Sequence, residues 1–194
     1  GDGTMRYHPA GDLFWLSGIE QEESVLVLAP DATEPAHREM LFLRRPSEHL
    51  AIWEGEKLTK EKARAISGIE KVRWIEDLPT VLHTLVCESE LLVLNGNEHE
   101  RAGGAVDPRD IRLARQLMAT YPLHRVERLQ PLLRQVRAVK TAAEVDLIRH
   151  AVDITDAGLR RALAALKPGV MEYELEAEIT GEFTRRRARM AYEP

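Results

Sequence analysis

Asp146, His150 and Asp153 lie at i, i+4 and i+7, a spacing that puts two carboxylates and an imidazole on one face of a helix. That ligand set suits a divalent metal ion. A catalytic metal also needs a dry, shaped cavity and groups that orient its ligands. The apolar stripe of the same helix falls on roughly the opposite side, so these three residues are expected on a solvated charged face. Glu98-His99-Glu100 is equally dense in ligand types, but neighbours on a polar loop rarely converge on one ion. The single cysteine, Cys87, follows Val86 at the end of a helical pattern and is expected as a packed thiol, not a nucleophile. His-Glu-x-x-His, Gly-x-Ser-x-Gly and Walker patterns are absent from the sequence, and Ser17-Gly18 and Gly103-Gly104 are turn signals only. The arginines between Arg185 and Arg189 could hold an anion, although complementarity to a helix C-terminus accounts for most of them. Trp53 is the most distinctive side chain. It sits where an apolar run meets Glu54-Gly55, a position where a large aromatic fills a core or walls a ligand or interface. Periodicity alone favours the core for Trp53, and more clearly for Trp15 and Trp74.

The elements that must position these residues fall into two styles. Leu13 to Leu16, Ser24 to Ala29, Met40 to Leu43 and Leu50 to Trp53 are short apolar runs bounded by turn residues, which reads as strands of a buried sheet. The Pro30 to Pro35 turn cluster makes the second and third a hairpin. Alternation follows. Thr59 to Ser67, Leu78 to Val86 and Pro108 to Tyr121 are expected helices, the last with Asp107 as N-cap and a stripe of Ile111, Ala114, Leu117 and Met118. Val72 to Ile75, Leu91 to Leu94 and Leu123 to Val126 are expected strands, and Asn97 to Ala105 a loop. A hairpin followed by strand–helix alternation predicts an α/β layer with a mixed sheet.

From Gln130 onward the chain reads as helix. Leu132, Leu133 and Val136 belong to a short connecting helix. Thr141-Ala-Ala-Glu144 is a capping box opening a long helix, on which Val145, Ile148, Val152, Thr155, Leu159, Leu163 and Leu166 share one arc. Lys167-Pro168-Gly169 ends it. A second helix follows with a stripe of Leu175, Ile179, Phe183 and Met190. The domain boundary is expected near Gln135.

Composition bounds the class. With 194 residues, 44% apolar and 30% charged, the chain has the balance of a folded protein with a real core. Its net charge of −5 argues against non-specific nucleic-acid binding. No apolar run is long enough to cross a bilayer, and no signal segment opens the chain. One cysteine excludes an intrachain disulfide framework and a Cys-rich zinc site, and a reducing, cytoplasmic setting fits best. The chain opens Gly-Asp-Gly without an initiator methionine, as expected of a piece of something longer.

Specific motifs carry a resemblance. Leu133-Arg134, Arg137-Ala138-Val139-Lys140-Thr141-x-x-Glu144, Ile148-Arg149-x-Ala151, and Lys167-Pro168-Gly169-x-x-Glu172-Tyr173-Glu174-Leu175-Glu176 resemble the entry into the pita-bread domain of proline-specific metallopeptidases. Upstream, Asp12-Leu13-Phe14-Trp15-Leu16-Ser17-Gly18, Phe42-Leu43-Arg44 and Ile52-Trp53-Glu54-Gly55 resemble the creatinase-like amino-terminal domain of Xaa-Pro aminopeptidases (aminopeptidase P). The resemblance covers nearly the whole chain. It implies an α/β creatinase-like amino-terminal domain with a mixed sheet over residues 1–135, lacking its first helix and strand. Residues 136–194 would be the linker and opening helices of an incomplete pita-bread α+β domain. The family holds two divalent ions, typically Mn2+, on two Asp, one His and two Glu, and the shared hydroxide attacks the carbonyl before proline. Those ligands and the catalytic histidines fall downstream of Pro194, so no catalytic or metal residue is carried onto this sequence. Trp53 is carried over as a substrate contact that reaches a neighbouring subunit's cleft. The implied partners are a proline-containing peptide, a complementary catalytic segment or chain, and further copies in a homo-oligomer, with no nucleic acid and no membrane. The chain by itself is expected to be inactive. Prolidase, which cleaves dipeptides, and a non-catalytic peptide-binding or oligomerisation module of the same fold are the alternatives.

Overall fold

In the computed structural model, residues 7–47, 51–52, 55–96, 98 and 107–191 are described. The chain divides into two units, residues 1–133 and 134–194. No helix among the described residues is long and apolar enough to cross a membrane.

Unit 1 is built around Met40-Leu41-Phe42-Leu43, all fully buried. Strands β1 (Val25–Leu28) and β2 (Glu39–Leu43) form an antiparallel hairpin with Val25 opposite Phe42 and Leu28 opposite Glu39. Strand β3 (Val72–Trp74) pairs with β2 in parallel, so the three-stranded sheet is mixed, in the order β1-β2-β3. Because side chains alternate across a strand, Leu41 and Leu43 pack on one face with Ile19, Ala63, Ile69 and Val72, whereas Met40 and Phe42 pack on the other with Ala32, Val81 and Leu85. Burial on both faces explains why β2 reads as an unbroken apolar run.

Helix α1 is Gly11–Ser17. Helix α2 (Lys60–Ser67) brings Ala63 to one face of the sheet, and α3 (Leu78–Glu88) brings Val81 and Leu85 to the other. The Thr59 hydroxyl caps α2 by accepting from the Lys62 N–H, and Gly68 closes it at φ 73°, a left-handed backbone that suits glycine. Strands β4 (Leu91–Leu94) and β5 (Arg125–Arg128) pair in parallel as a second sheet, with α4 (Arg109–Thr120) between them in sequence. Val86, Leu92 and Leu117 form the core beneath it.

Several expectations are corrected. Leu13 to Leu16 is not a strand but lies in α1, where the Gly18 N–H donates to the Phe14 carbonyl (2.7 Å) and the Ser17 hydroxyl to that of Leu13 (2.7 Å). So short an apolar run carries no period to separate helix from strand. Ala51 and Ile52 are helical as well. The Ala51 N–H donates to the Ser47 carbonyl (3.0 Å) and Ile52 is exposed, while Leu50 and Trp53 lie outside the described residues. Asp107 does not cap α4. Pro108 holds that position, and the Asp107 carboxylate pairs with Arg115 instead. Met118 is exposed, so the buried side of α4 is carried by Leu117 with Leu113. Leu123 is exposed ahead of β5. Most of Asn97 to Ala105 lies outside the described residues, Glu98 excepted.

Helix α5 (Gln130–Ala138) leads into unit 2. There α6 (Ala142–Ala165) and α7 (Glu172–Arg185) form a helical hairpin through Pro168-Gly169. The capping box is formed: the Thr141 hydroxyl accepts from the Glu144 N–H (3.3 Å) and the Glu144 carboxylate accepts from the Thr141 N–H (2.8 Å). Ile154 and Gly158 are the buried residues of α6. The stripe read from the sequence lies elsewhere on the helix. Within the described unit Ile148, Val152, Leu159, Leu163 and Leu166 are each more than half exposed, Leu163 reaching 68%. Leu175, Ile179, Phe183 and Met190 are half-buried.

Candidate functional site

Asp146, His150 and Asp153 are all exposed on α6, and Asp146 accepts from Arg149 (3.1 Å). Among the described residues no group of three or more His, Cys, Asp or Glu side chains could hold a metal ion. The described residues therefore offer no donor set for a metal pair. Glu98 pairs with Arg128 in unit 1, whereas His99 and Glu100 lie outside the described residues. Trp53, the one substrate contact expected from sequence, lies outside them too.

Cys87 is exposed, which corrects its expected packing. Val81, Leu85 and Val86 take the inward side of α3, and the next residue turns away from it. Its sulfur lies 3.8 and 3.9 Å from the two ring nitrogens of His83. His83 Nδ1 is 2.6 Å from the Tyr121 hydroxyl, and the His124 Nε2 is 2.9 Å from the Val86 carbonyl.

Two polar assemblies were not legible as sites. In unit 1 the buried Gln21 amide accepts from the Leu58 N–H (2.6 Å) and donates to the Arg44 carbonyl (3.5 Å). Beside it Glu22 takes Lys57 (2.6 Å) and Arg44 (3.3 Å). Burial alone would raise the Glu22 carboxyl, but hydrogen bonds from Lys57, its own backbone and Arg44 outweigh burial and hold it below the usual range. Trp74, packed against the same core, carries cations over its ring, Arg45 at 5.1 Å and Lys60 at 4.8 Å. In unit 2 Arg161 of α6 meets Glu178 and Glu182 of α7, and Glu182 also takes Arg185 and Arg186. Arg161 thus ties the two helices of the hairpin, whereas Arg185 and Arg186 pair with Glu182 within one turn at the end of α7. No sequence periodicity marks the Gln21–Leu58, Glu22–Lys57 or Arg161–Glu178 pairings, because each joins residues distant in sequence.

The unit around a mixed sheet with helices on both faces is an α/β domain of the creatinase-like kind, and the hairpin of α6 and α7 opens a second domain of the pita-bread class. Residues 1–94 match the family described as "Aminopeptidase P, N-terminal domain", and residues 146–194 match "Metallopeptidase family M24". The chain belongs to the aminopeptidase P family, to an amino-terminal portion of it. Among curated relatives, Xaa-Pro aminopeptidase of Escherichia coli is 26% identical over 97% of this chain and 43% of its own length. The human Xaa-Pro dipeptidase is 27% identical over 91% of this chain and 35% of its own. Among solved structures, the aminopeptidase PepP of Pseudomonas aeruginosa superposes with a TM-score of 0.77 at 26% identity, covering 96% of this chain and 42% of that one. Aminopeptidase P from E. coli gives 0.74 at 24% identity, covering 96% and 42%. The chain thus spans about two fifths of the length of these relatives.

Proposed function

We propose that this chain is the amino-terminal part of a metallo-aminopeptidase that removes the first residue from peptides with proline second. The observation that carries this reading is the order of the two family matches, an aminopeptidase P amino-terminal domain followed by the start of an M24 peptidase. The metal pair, two Mn2+ ions in this proposal, sits on a segment outside this chain, consistent with a chain that spans two fifths of its relatives. The chain alone is inactive, and the complete protein is a cytoplasmic homo-oligomer. The apolar side of α6 supports a further covering element, since exposed leucines in a row are costly to leave in water.

Assays of the complete enzyme on Xaa-Pro-Xaa tripeptides, with matched Xaa-Ala-Xaa controls and a chelator, test the reading. Proline-dependent, chelator-sensitive release of the first residue is expected. Cleavage indifferent to proline would refute it. The match to a human Xaa-Pro dipeptidase motivates the second reading, prolidase. A preference for Xaa-Pro dipeptides over tripeptides would favour that reading.

Trp53 is proposed to line the substrate cleft of a neighbouring subunit, on the strength of its Ile-Trp-Glu-Gly segment. Trp53→Ala in the assembled enzyme should raise KM with little loss of thermal stability. A large drop in Tm would place Trp53 in a core instead.

A further inference from the structure

Helix α5 runs from Gln130 to Ala138, so the division between the units, after Leu133, falls inside a helix and not in a loop. The first turn of that helix is fastened to unit 1. Just ahead of it the Leu129 N–H donates to the Leu94 carbonyl (2.9 Å), which carries the β4–β5 ladder up to the helix start. Leu133 is buried. Gln130 supplies the polar part of the anchor. A primary amide has two N–H donors, and here its nitrogen lies 2.7 Å from the Asp12 carboxylate and 3.3 Å from the Asn95 side-chain oxygen. Asn95 in turn donates to Asp110 (3.0 Å). Gln130 thereby ties α1 and the residue after β4 to the start of α5, and Asn95 extends the link to the start of α4. Further along the helix Val136 and Ala138 are exposed.

Both groups facing the Gln130 nitrogen are acceptors, so position 130 needs a donor. The bond to Asp12 is charge-assisted and half-buried, the setting in which a hydrogen bond is strongest. We propose that Gln130 is the positioning residue of the connecting helix: its amide, held by Asp12 and Asn95, fastens the first turn of α5 to unit 1. The inference does not depend on the enzymatic reading.

Amide hydrogen exchange on the full 194-residue chain tests it. Gln130→Met keeps the length and removes the donors, whereas Gln130→Arg retains a donor for Asp12. Gln130→Met should speed exchange of the amides of α5 by about tenfold or more, with β2 and α2 protected as before. Gln130→Arg should restore most of that protection. Unchanged exchange in α5 would overturn the proposal by leaving Leu133 as the whole anchor. So would a uniform acceleration across β2, α2 and α5, which would make Gln130 a contributor to global stability.

Discussion

Gly158 is where the hairpin of unit 2 can be tested by the sign of an effect. It is buried in the middle of α6 and faces α7. A Cβ placed there would meet Phe183 Cε2 at 3.4 Å, Ile179 Cγ2 at 3.5 Å and Phe183 Cδ2 at 3.7 Å, ordinary van der Waals distances. Glycine within a helix costs roughly 0.5–1 kcal/mol relative to alanine, mainly through backbone entropy. The added methyl also enters contact without displacing anything. Gly158→Ala should therefore stabilise unit 2 by about 1 kcal/mol. In a domain of this size that corresponds to a rise of roughly 4–8 °C in Tm. Gly158→Leu should do the opposite, because the longer side chain must push into Phe183 and overpacking costs about 1–3 kcal/mol. Trp15, Trp53 and Trp74 all lie in unit 1, so tryptophan fluorescence should barely change while helical circular dichroism and exchange in α7 report unit 2. A clear loss of stability in Gly158→Ala would refute this packing, as would a harmless Gly158→Leu.

Three other perturbations have defined outcomes. Gln21→Leu should destabilise unit 1 by about 1–3 kcal/mol, since it leaves the Leu58 N–H without its partner; a neutral result in urea unfolding would discount that bond. The Glu22 carboxyl is held low in the folded chain, so its contribution is complete above the unfolded value of about 4.3 and fades as pH falls through the folded one. Glu22→Gln should accordingly flatten the acid limb of a stability–pH profile, and an unaltered limb would contradict the assignment. Cys87 should react stoichiometrically with a thiol reagent under native conditions, whereas labelling only in denaturant would mean a packed thiol.

How far the sequence reached depended on the range of the signal. The hairpin of β1 and β2, the helix at Lys60–Ser67 and the Thr141–Glu144 capping box are local patterns, and all were legible. Leu13 to Leu16 was not, because four apolar residues fit a helix or a strand equally well. On α6 the apolar periodicity marks a stripe whose members are mostly more than half exposed in the described unit. Yet the face that meets α7 is the one bearing Ile154 and Gly158, and a pattern names a face without naming its partner. The contacts of Gln21, Gln130 and Arg161 join residues far apart in sequence and leave no periodic trace. The family was legible for a different reason, since short motifs spread along the whole chain combine into a specific signature.

The proposal that this chain is one part of a proline-specific metallopeptidase whose metals are held elsewhere is open to a mixing experiment. The chain is assayed with Mn2+ on an Xaa-Pro tripeptide, first alone and then with the segment that follows Pro194 supplied as a separate polypeptide. No release of the first residue is expected from the chain alone, and proline-dependent release is expected once the segment is added. Turnover by the isolated chain would contradict it.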